Sequence, residues 1–407
     1  LIWRAARWTI EAHGVPQHSP VVHNARCLMP NASAKTLGFL QALPFWFALG
    51  MVPLAVAGAT LGGWYTTLVP ACSIIFYSIL DALTGLDQDN ADPQSQDGLL
   101  WYRLLTLIWF PIQFVILYWT IWYATRAEHL GALELGVLFF GIGILTGTVG
   151  INYSHELMHQ KSRLERWLGD LLLASVLYSH FRSEHLRVHH LHVATPRDPV
   201  TARYNEGFHR FFPRVLRQCP RSAFKAEAAM LARKGLPWWH RSNPFWRYAI
   251  LQAGLLALAV ILGGWLGLVL FLYQALVAIW QLEAVNYVEH YGLTRRHLGD
   301  GKYEHVRPHH SWNAAHRASN WLLINLQRHS DHHFKPDRRF PLLQTYGPDE
   351  APQLPLGYPL MVFIAMVPPV WKRVMNPRVR AWRKFHYPDI ADWHPYNKAL
   401  NPTAQAA

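Results

Sequence analysis

Long apolar runs constrain this chain more than any other feature of it. A helix that crosses a bilayer needs about 20 mainly apolar residues. Windows of that kind run from about Leu37 to Leu61, Tyr65 to Leu83, Leu104 to Tyr123 and Leu133 to Ile151. Ala249 to Leu282 is apolar throughout and too long for one ordinary span, and Gly263-Gly264 near its middle predicts a hairpin turn between two short ones. That makes six. Leu354 to Val370 is apolar as well, but Pro355, Pro359, Pro368 and Pro369 interrupt it, so it reads as an interfacial or re-entrant piece.

Charge placement orients such a bundle. Of 38 Lys and Arg residues, 16 fall in 152–248 and another 16 follow Val285. The positive-inside rule puts both segments in the cytoplasm, which six spans and an inside N-terminus also require. The Asp-rich loop Asp81–Asp97 falls on the same side, where acidic residues carry little weight. The net charge of +13 is thus explained by topology, and nucleic acid binding is not needed to account for it. The expected fold is an all-α integral membrane protein, six transmembrane helices with a cytoplasmic His-rich di-metal cap. Its parts are a cytoplasmic arm (1–36), four spans (37–151), a cytoplasmic region (152–248), two spans (249–285) and a second cytoplasmic region (286–407). Cys27, Cys72 and Cys219 form no close pair, which excludes a disulfide framework and a cysteine-held metal or iron–sulfur site.

The 24 histidines are unevenly spread. His155-Glu-Leu-Met-His159 follows the fourth span directly, and its i, i+4 spacing puts both imidazoles on one helical face. His185-x3-His189-His190 comes one short amphipathic segment later, after Leu164–Tyr178. His290, within Asn286-Tyr-Val-Glu-His-Tyr-Gly-Leu293, directly extends the last span, and His329-Ser-Asp-His332-His333 stacks three imidazoles at i, i+3 and i+4. A lone His pair is more often a solvated face. Four groups at the same ends of one bundle argue for metal ligation, and nine imidazoles exceed what one ion holds, so two metals is the economical count. His309-His310 with His316 imitates a ligand pattern in an irregular, Pro-containing stretch and is read as supporting or structural, with His192 also outside the set. His13, His18, His23, His209, His240, His297, His386 and His394 read as surface or interface residues.

The clusters H-x3-H, H-x3-H-H and H-x2-H-H resemble the histidine boxes of the membrane fatty-acid desaturase/hydroxylase superfamily. Asn152-Tyr-Ser-His-Glu-Leu-Met-His159, Ser183-Glu-His-Leu-Arg-Val-His-His190, Asn286-Tyr-Val-Glu-His-Tyr-Gly-Leu293 and Leu326-Gln-Arg-His-Ser-Asp-His-His333 are similar to the four motifs of its integral-membrane alkane 1-monooxygenase (alkane hydroxylase) branch. The resemblance covers roughly residues 37–345, and the Asn286–Leu293 string is its most discriminating part. Val188 stands where that family usually has Gly, and Gln160 where it usually has Lys; neither change removes a ligand.

The resemblance implies that His155, His159, His185, His189, His190, His290, His329, His332 and His333 hold two iron ions as a non-haem di-iron centre. It implies hydroxylation of the terminal methyl of n-alkanes to 1-alkanols, with O2 and with electrons from a rubredoxin served by an NAD(P)H-dependent rubredoxin reductase, in a bacterial-type inner membrane. No Gly-x-Gly-x-x-Gly fingerprint supplies those electrons from within the chain. The tail Asn-Pro-Thr-Ala-Gln-Ala-Ala is linker-like, and a rubredoxin fused beyond residue 407 is conceivable. Glu156, Glu184, Asp198, Glu283, Glu289 and Asp331 are the carboxylates placed to orient imidazole N–H groups or relay protons, Glu283 foremost because it lies within a span. Gly143-x3-Gly147 suits a close helix approach. The alternatives are a desaturase, or a hydroxylase of an acyl lipid or an aryl methyl group, served by the same boxes. A transporter that binds ions in transit would need polar residues along the spans, which are scarce here.

Overall fold

The computed structural model describes residues 37–397. The arm 1–36, with His13, His18 and His23, and the chain after residue 397 lie outside the described residues. Four long apolar helices come first: α1 (Phe39–Leu61), α2 (Gly63–Thr84), α3 (Leu99–Ala124) and α4 (Ala132–Met158). Short pieces carry the next His motifs: α5 (Arg163–Ala174) and α6, which begins at Phe181–Glu184 and continues through a wide π-helical turn at His185–His189 to His192. The amphipathic α7 (Phe208–Ala232) leads into α8 (Pro244–His290). A two-stranded hairpin follows, β1 (His297–Gly299) with β2 (Lys302–Tyr303), then α9 (Arg317–Leu322), α10 (His329–Phe334), α11 (Tyr358–Ala365) and α12 (Pro368–His386). The fold is therefore helical apart from that hairpin, a small correction to the all-α expectation. Backbone pairing of five residues across a Gly-rich turn carries too little hydrophobic pattern to be read from sequence.

Five helices among the described residues, α1–α4 and α8, are long and apolar enough to cross a membrane. Their outer faces are covered by large apolar side chains such as Phe47, Ile75, Ile79, Ile261 and Trp265, all exposed. Water would penalise such faces and lipid would not, so this is a membrane protein. The chain turns between α1 and α2 at Gly62 and Gly63, both at positive φ (63° and 55°), which only glycine adopts without strain. The 47-residue α8 breaks where the paired glycines predict, at Gly264 (φ 59°, ψ −149°). Tyr118 on α3 touches both sides of that break. Its hydroxyl donates to Leu255 O at 2.8 Å, and its ring lies 6.1 Å from that of Phe271. α8 thus folds back on itself around the end of α3, where Arg126 donates to Leu262 O at 2.7 Å.

The second half of α8 packs along α4, and Gly143 and Gly147 make that approach possible. A Cβ on Gly143 would meet the Val277 side chain at 2.5 Å and Gln274 O at 2.8 Å; on Gly147 it would meet Ala278 Cα at 3.1 Å. α4 and α8 therefore end side by side, carrying His155, His159 and His290 to one end of the bundle. The Pro-broken stretch forms α11, with Pro359 in its first turn where a missing N–H costs nothing, followed by α12. The Asp-rich loop lies against the same end. Asp81 accepts from Ser319 N at 2.8 Å, and Arg328, beside His329, reaches Asp87 at 3.4 Å and donates to Asp89 O at 3.1 Å.

Candidate metal centre

Each predicted His is delivered by a helix end. α4 continues the fourth apolar run through a wide turn at Thr146–Ile151 and ends at Met158, with His159 as its cap. α6 brings His185, His189 and His190, α8 brings His290 as its last residue, and the six-residue α10 brings His329, His332 and His333. All nine rings converge.

They fall into two sets. His155, His159, His185 and His332 present nitrogens within 4.8 Å of one another, as do His189, His290, His329 and His333. In the first set, His185 Nε2 lies 2.9 Å from His155 Nε2 and 3.1 Å from His159 Nε2. His190 joins this set, with its Nε2 at 2.9 Å from His185 and 3.1 Å from His332. In the second set, His333 Nε2 is 3.2 Å from His189 and 3.0 Å from His329, and His329 is 3.2 Å from His290. The sets adjoin: the ring of His190 in the first lies 4.8 Å from that of His333 in the second.

This geometry fits metal cations better than a hydrogen-bond web. An imidazole nitrogen offers one proton or one lone pair, yet His185 Nε2 has three His nitrogens within 3.1 Å and His332 at 3.5 Å. Nitrogens so crowded cannot all be paired with one another, whereas lone pairs aimed at a common cation can all be used. The far nitrogens of His190, His290, His329 and His333 are buried without a hydrogen bond, leaving the Nε2 atoms as their working ends. Burial, with the neighbouring His189, lowers the pKa of His159 to about 3. Burial and the surrounding imidazoles likewise hold His185, His190, His329, His332 and His333 well below the usual range. All of these are neutral near pH 7, the form that binds metal.

The six carboxylates divide by what they touch. Asp198 Oδ2 sits 2.9 Å from His189 Nδ1 and also accepts from Thr201 Oγ1 at 2.7 Å, while its Oδ1 accepts from Val200 N at 3.0 Å. Burial works to raise the Asp198 carboxyl, but His189 and those hydrogen bonds outweigh it and hold it below its usual range. Glu289 Oε1 lies 3.3 Å from His329 Nδ1, close but not hydrogen-bonded. Glu283 bonds elsewhere: it accepts from Tyr178 Oη at 2.7 Å and from Asn286 Nδ2 at 3.1 Å. Asp331 accepts from Tyr346 Oη at 2.7 Å and Gln344 N at 3.0 Å, fastening the loop behind α10. Glu156 accepts from Gln160 Nε2 at 3.0 Å. Neither oxygen of the buried Glu184 has a hydrogen-bond partner, and burial, followed by Asp198 and Glu283, pushes this carboxyl well up.

His309 and His310 stand apart, grouped with Glu304. Tyr387 binds them: its hydroxyl lies 2.8 Å from His310 Nε2 and 3.2 Å from His309 Nε2, and donates to Glu304. His192 joins neither His set, and His316 caps α9. His297, expected at the surface, is buried beside Tyr303 (ring centroids 5.1 Å), because the hairpin folds its first strand inward. The sequence reading did not single out Tyr178 or Thr201: tertiary packing brings Tyr178 to Glu283, whereas Thr201 meets Asp198 three residues back in a local turn.

Two apolar cavities meet at this centre. The inner one is lined by His155, His185, His329, Glu289, Phe181 and Ile151. The outer one lies among α2, α4, α8 and α11, lined by Ile74, Phe140, Trp280, Val362, Phe363 and Met366. Thr148, Gln281, Val285 and Leu323 belong to the walls of both. Phe363, at the outer end, is 64% exposed on the lipid-facing surface. Two adjoining cavities with mainly apolar walls thus lie between that surface and the imidazoles.

The fatty acid desaturase family model matches residues 131–365, from the start of α4 to the end of α11. An alkane 1-monooxygenase 2 from Pseudomonas aeruginosa is 40% identical over 84% of this chain and 93% of its own length. Alkane 1-monooxygenase 1 of the same organism is 41% identical over 75% of this chain and 80% of its own. An alkane 1-monooxygenase from Pseudomonas putida is 36% identical over 83% and 84%.

Proposed function

The chain belongs to the alkane 1-monooxygenase family, within the fatty acid desaturases, and is a monooxygenase of the membrane; from that premise we propose that it converts n-alkanes to 1-alkanols at a di-iron centre. The observation that carries this reading is the pair of mainly apolar cavities adjoining nine converging imidazoles. The five-His set and the four-His set would each hold one iron. Two bound irons would supply the O2 activation that breaking an unactivated C–H bond demands and that no side chain provides.

The rest is the work of the chain's own residues. Asp198 fixes the tautomer and orientation of His189 by taking its Nδ1–H, leaving Nε2 free to ligate. The apolar walls of the inner cavity exclude water and hold an alkyl chain end-on, so that its terminal methyl faces the imidazoles. The overall reaction is RH + O2 + 2 e⁻ + 2 H⁺ → ROH + H2O. We assign the electrons to a rubredoxin, a small acidic donor that the chain's net charge of +13 would attract. With α8 counted as two crossings the helices cross six times, and the positive-inside rule places the His-bearing end in the bacterial cytoplasm.

The test is product formation from n-octane by membranes holding the protein, supplied with rubredoxin, its reductase and NADH and read by gas chromatography. O2-dependent 1-octanol is expected. Internal octanols would refute the end-on reading. No oxidation by iron-loaded preparations would redirect the substrate to an acyl lipid or an aryl methyl group.

A further inference from the structure

The path between the two cavities is apolar except at one point, and that point has an unused polar atom. Gln281 on α8 donates from Nε2 to Thr148 Oγ1 at 2.6 Å, while its Oε1 is buried with no hydrogen-bond partner. Both residues line both cavities. The contrast with Gln274, two turns earlier on the same helix, is informative. There Oε1 accepts from Thr146 Oγ1 at 2.8 Å, and Nε2 donates to Ser175 O at 2.9 Å. The bundle therefore satisfies both ends of a buried amide where nothing else is required of it. Gln281 is held with one end open by two features of α4. The wide turn at Thr146–Ile151 re-aims Thr148 toward the path. Gly147 leaves room for the amide, since any side chain there would collide with the Gln281 oxygen.

A buried polar atom without a partner costs folding free energy, and a ligand that pairs it recovers that cost. An alkane cannot. A hydroxyl, being both donor and acceptor, pairs with either end of an amide. We infer that Gln281, positioned by Thr148, is a hydroxyl-binding point on the alkyl path, which makes primary alcohols ligands of this site in preference to alkanes of the same length. It rests on the alkane-hydroxylation reading. There it makes Gln281 a specificity-determining residue that separates product from substrate: the newly formed 1-alkanol meets a polar partner there on the way out.

The experiment compares wild type with Gln281→Leu in two readouts. One is kinetic, the inhibition constant of 1-decanol against n-decane hydroxylation alongside KM for n-decane. In Gln281→Leu the inhibition constant should rise about tenfold, the worth of one buried hydrogen bond. KM for n-decane should fall, because the alkane no longer lies against an unpaired polar atom. The other is thermal unfolding of the purified protein, in which 1-decanol should raise Tm of wild type more than that of the variant. Gln281→Met, which keeps the chain length without the amide, replaces Leu if that variant does not fold. Constants that do not move, or that rise together, would show a residue acting through shape alone and overturn the inference. Equal Tm shifts would overturn it too. If wild type oxidises no decane but the difference in Tm shift persists, the proposed reaction fails while the hydroxyl site stands.

Discussion

At the residue scale the centre depends on where imidazole lone pairs point, and Asp198 governs one of them directly. Changing Asp198 to Asn keeps the size but offers His189 Nδ1 an amide in place of a carboxylate. Losses of this kind weaken metal affinity by about 10- to 100-fold. Iron retained by Asp198→Asn during dialysis against a graded chelator should fall by that order, and an unchanged retention curve would remove Asp198 from the account. A second residue-scale expectation concerns the separate Glu304–His309–His310–Tyr387 group. Burial, then His310 and His386, lowers the pKa of His309 to about 3, from a usual value of 6.5. Between those values the unfolded chain holds a proton that the folded chain does not. The group's contribution is thus complete above pH 6.5 and is lost as pH falls toward 3. Glu304 acts in the same direction over a lower window: burial works to raise it, yet hydrogen bonds from His310, the Arg296 backbone and Tyr387 bring it to about 2, below the usual 4.5. Tm should drop on acidification from pH 7 to pH 4, and His309→Phe should remove part of that drop. An identical pH profile in the variant would contradict this.

At the element scale the decisive contact is α4 against the second half of α8, because it sets the spacing of His155 and His290. Gly143→Leu forces a side chain into Val277 and the Gln274 carbonyl. Overpacking of this sort costs about 1–3 kcal/mol, so a clearly lower Tm in detergent is expected, together with lost iron. An unchanged Tm would mean that the helices are less close than described. The same elements show what was legible in the sequence. The apolar runs, the Gly264 break and the His spacings are local patterns, and the helices and all four His groups fall where those patterns put them. α7 was legible in principle but not read: Phe208, Phe211, Val215, Cys219, Ala223 and Leu231 recur at helical spacing and are all buried. Pro213 and Pro220 lie inside it, where a helix interior seldom carries proline. The distant partner of Glu283 could not be read, since Tyr178 meets it from 105 residues away. Nothing short of the folded bundle encodes that pairing.

At the scale of the whole molecule, an apolar bundle carries an imidazole-lined end beneath basic segments. If the rubredoxin reading is right, turnover driven by rubredoxin should fall as ionic strength rises, through KM for rubredoxin rather than kcat. A rate indifferent to salt would argue against electrostatic docking. The central claim is that nine imidazoles from four separate segments hold two irons, and counting the metal tests it most directly. Purified protein reconstituted with ferrous iron and analysed by plasma emission should carry two irons per chain. His290→Ala and His185→Ala should each carry fewer, while His309→Ala keeps two. A wild-type chain that binds one iron or none, or His290→Ala that still binds two, would contradict it.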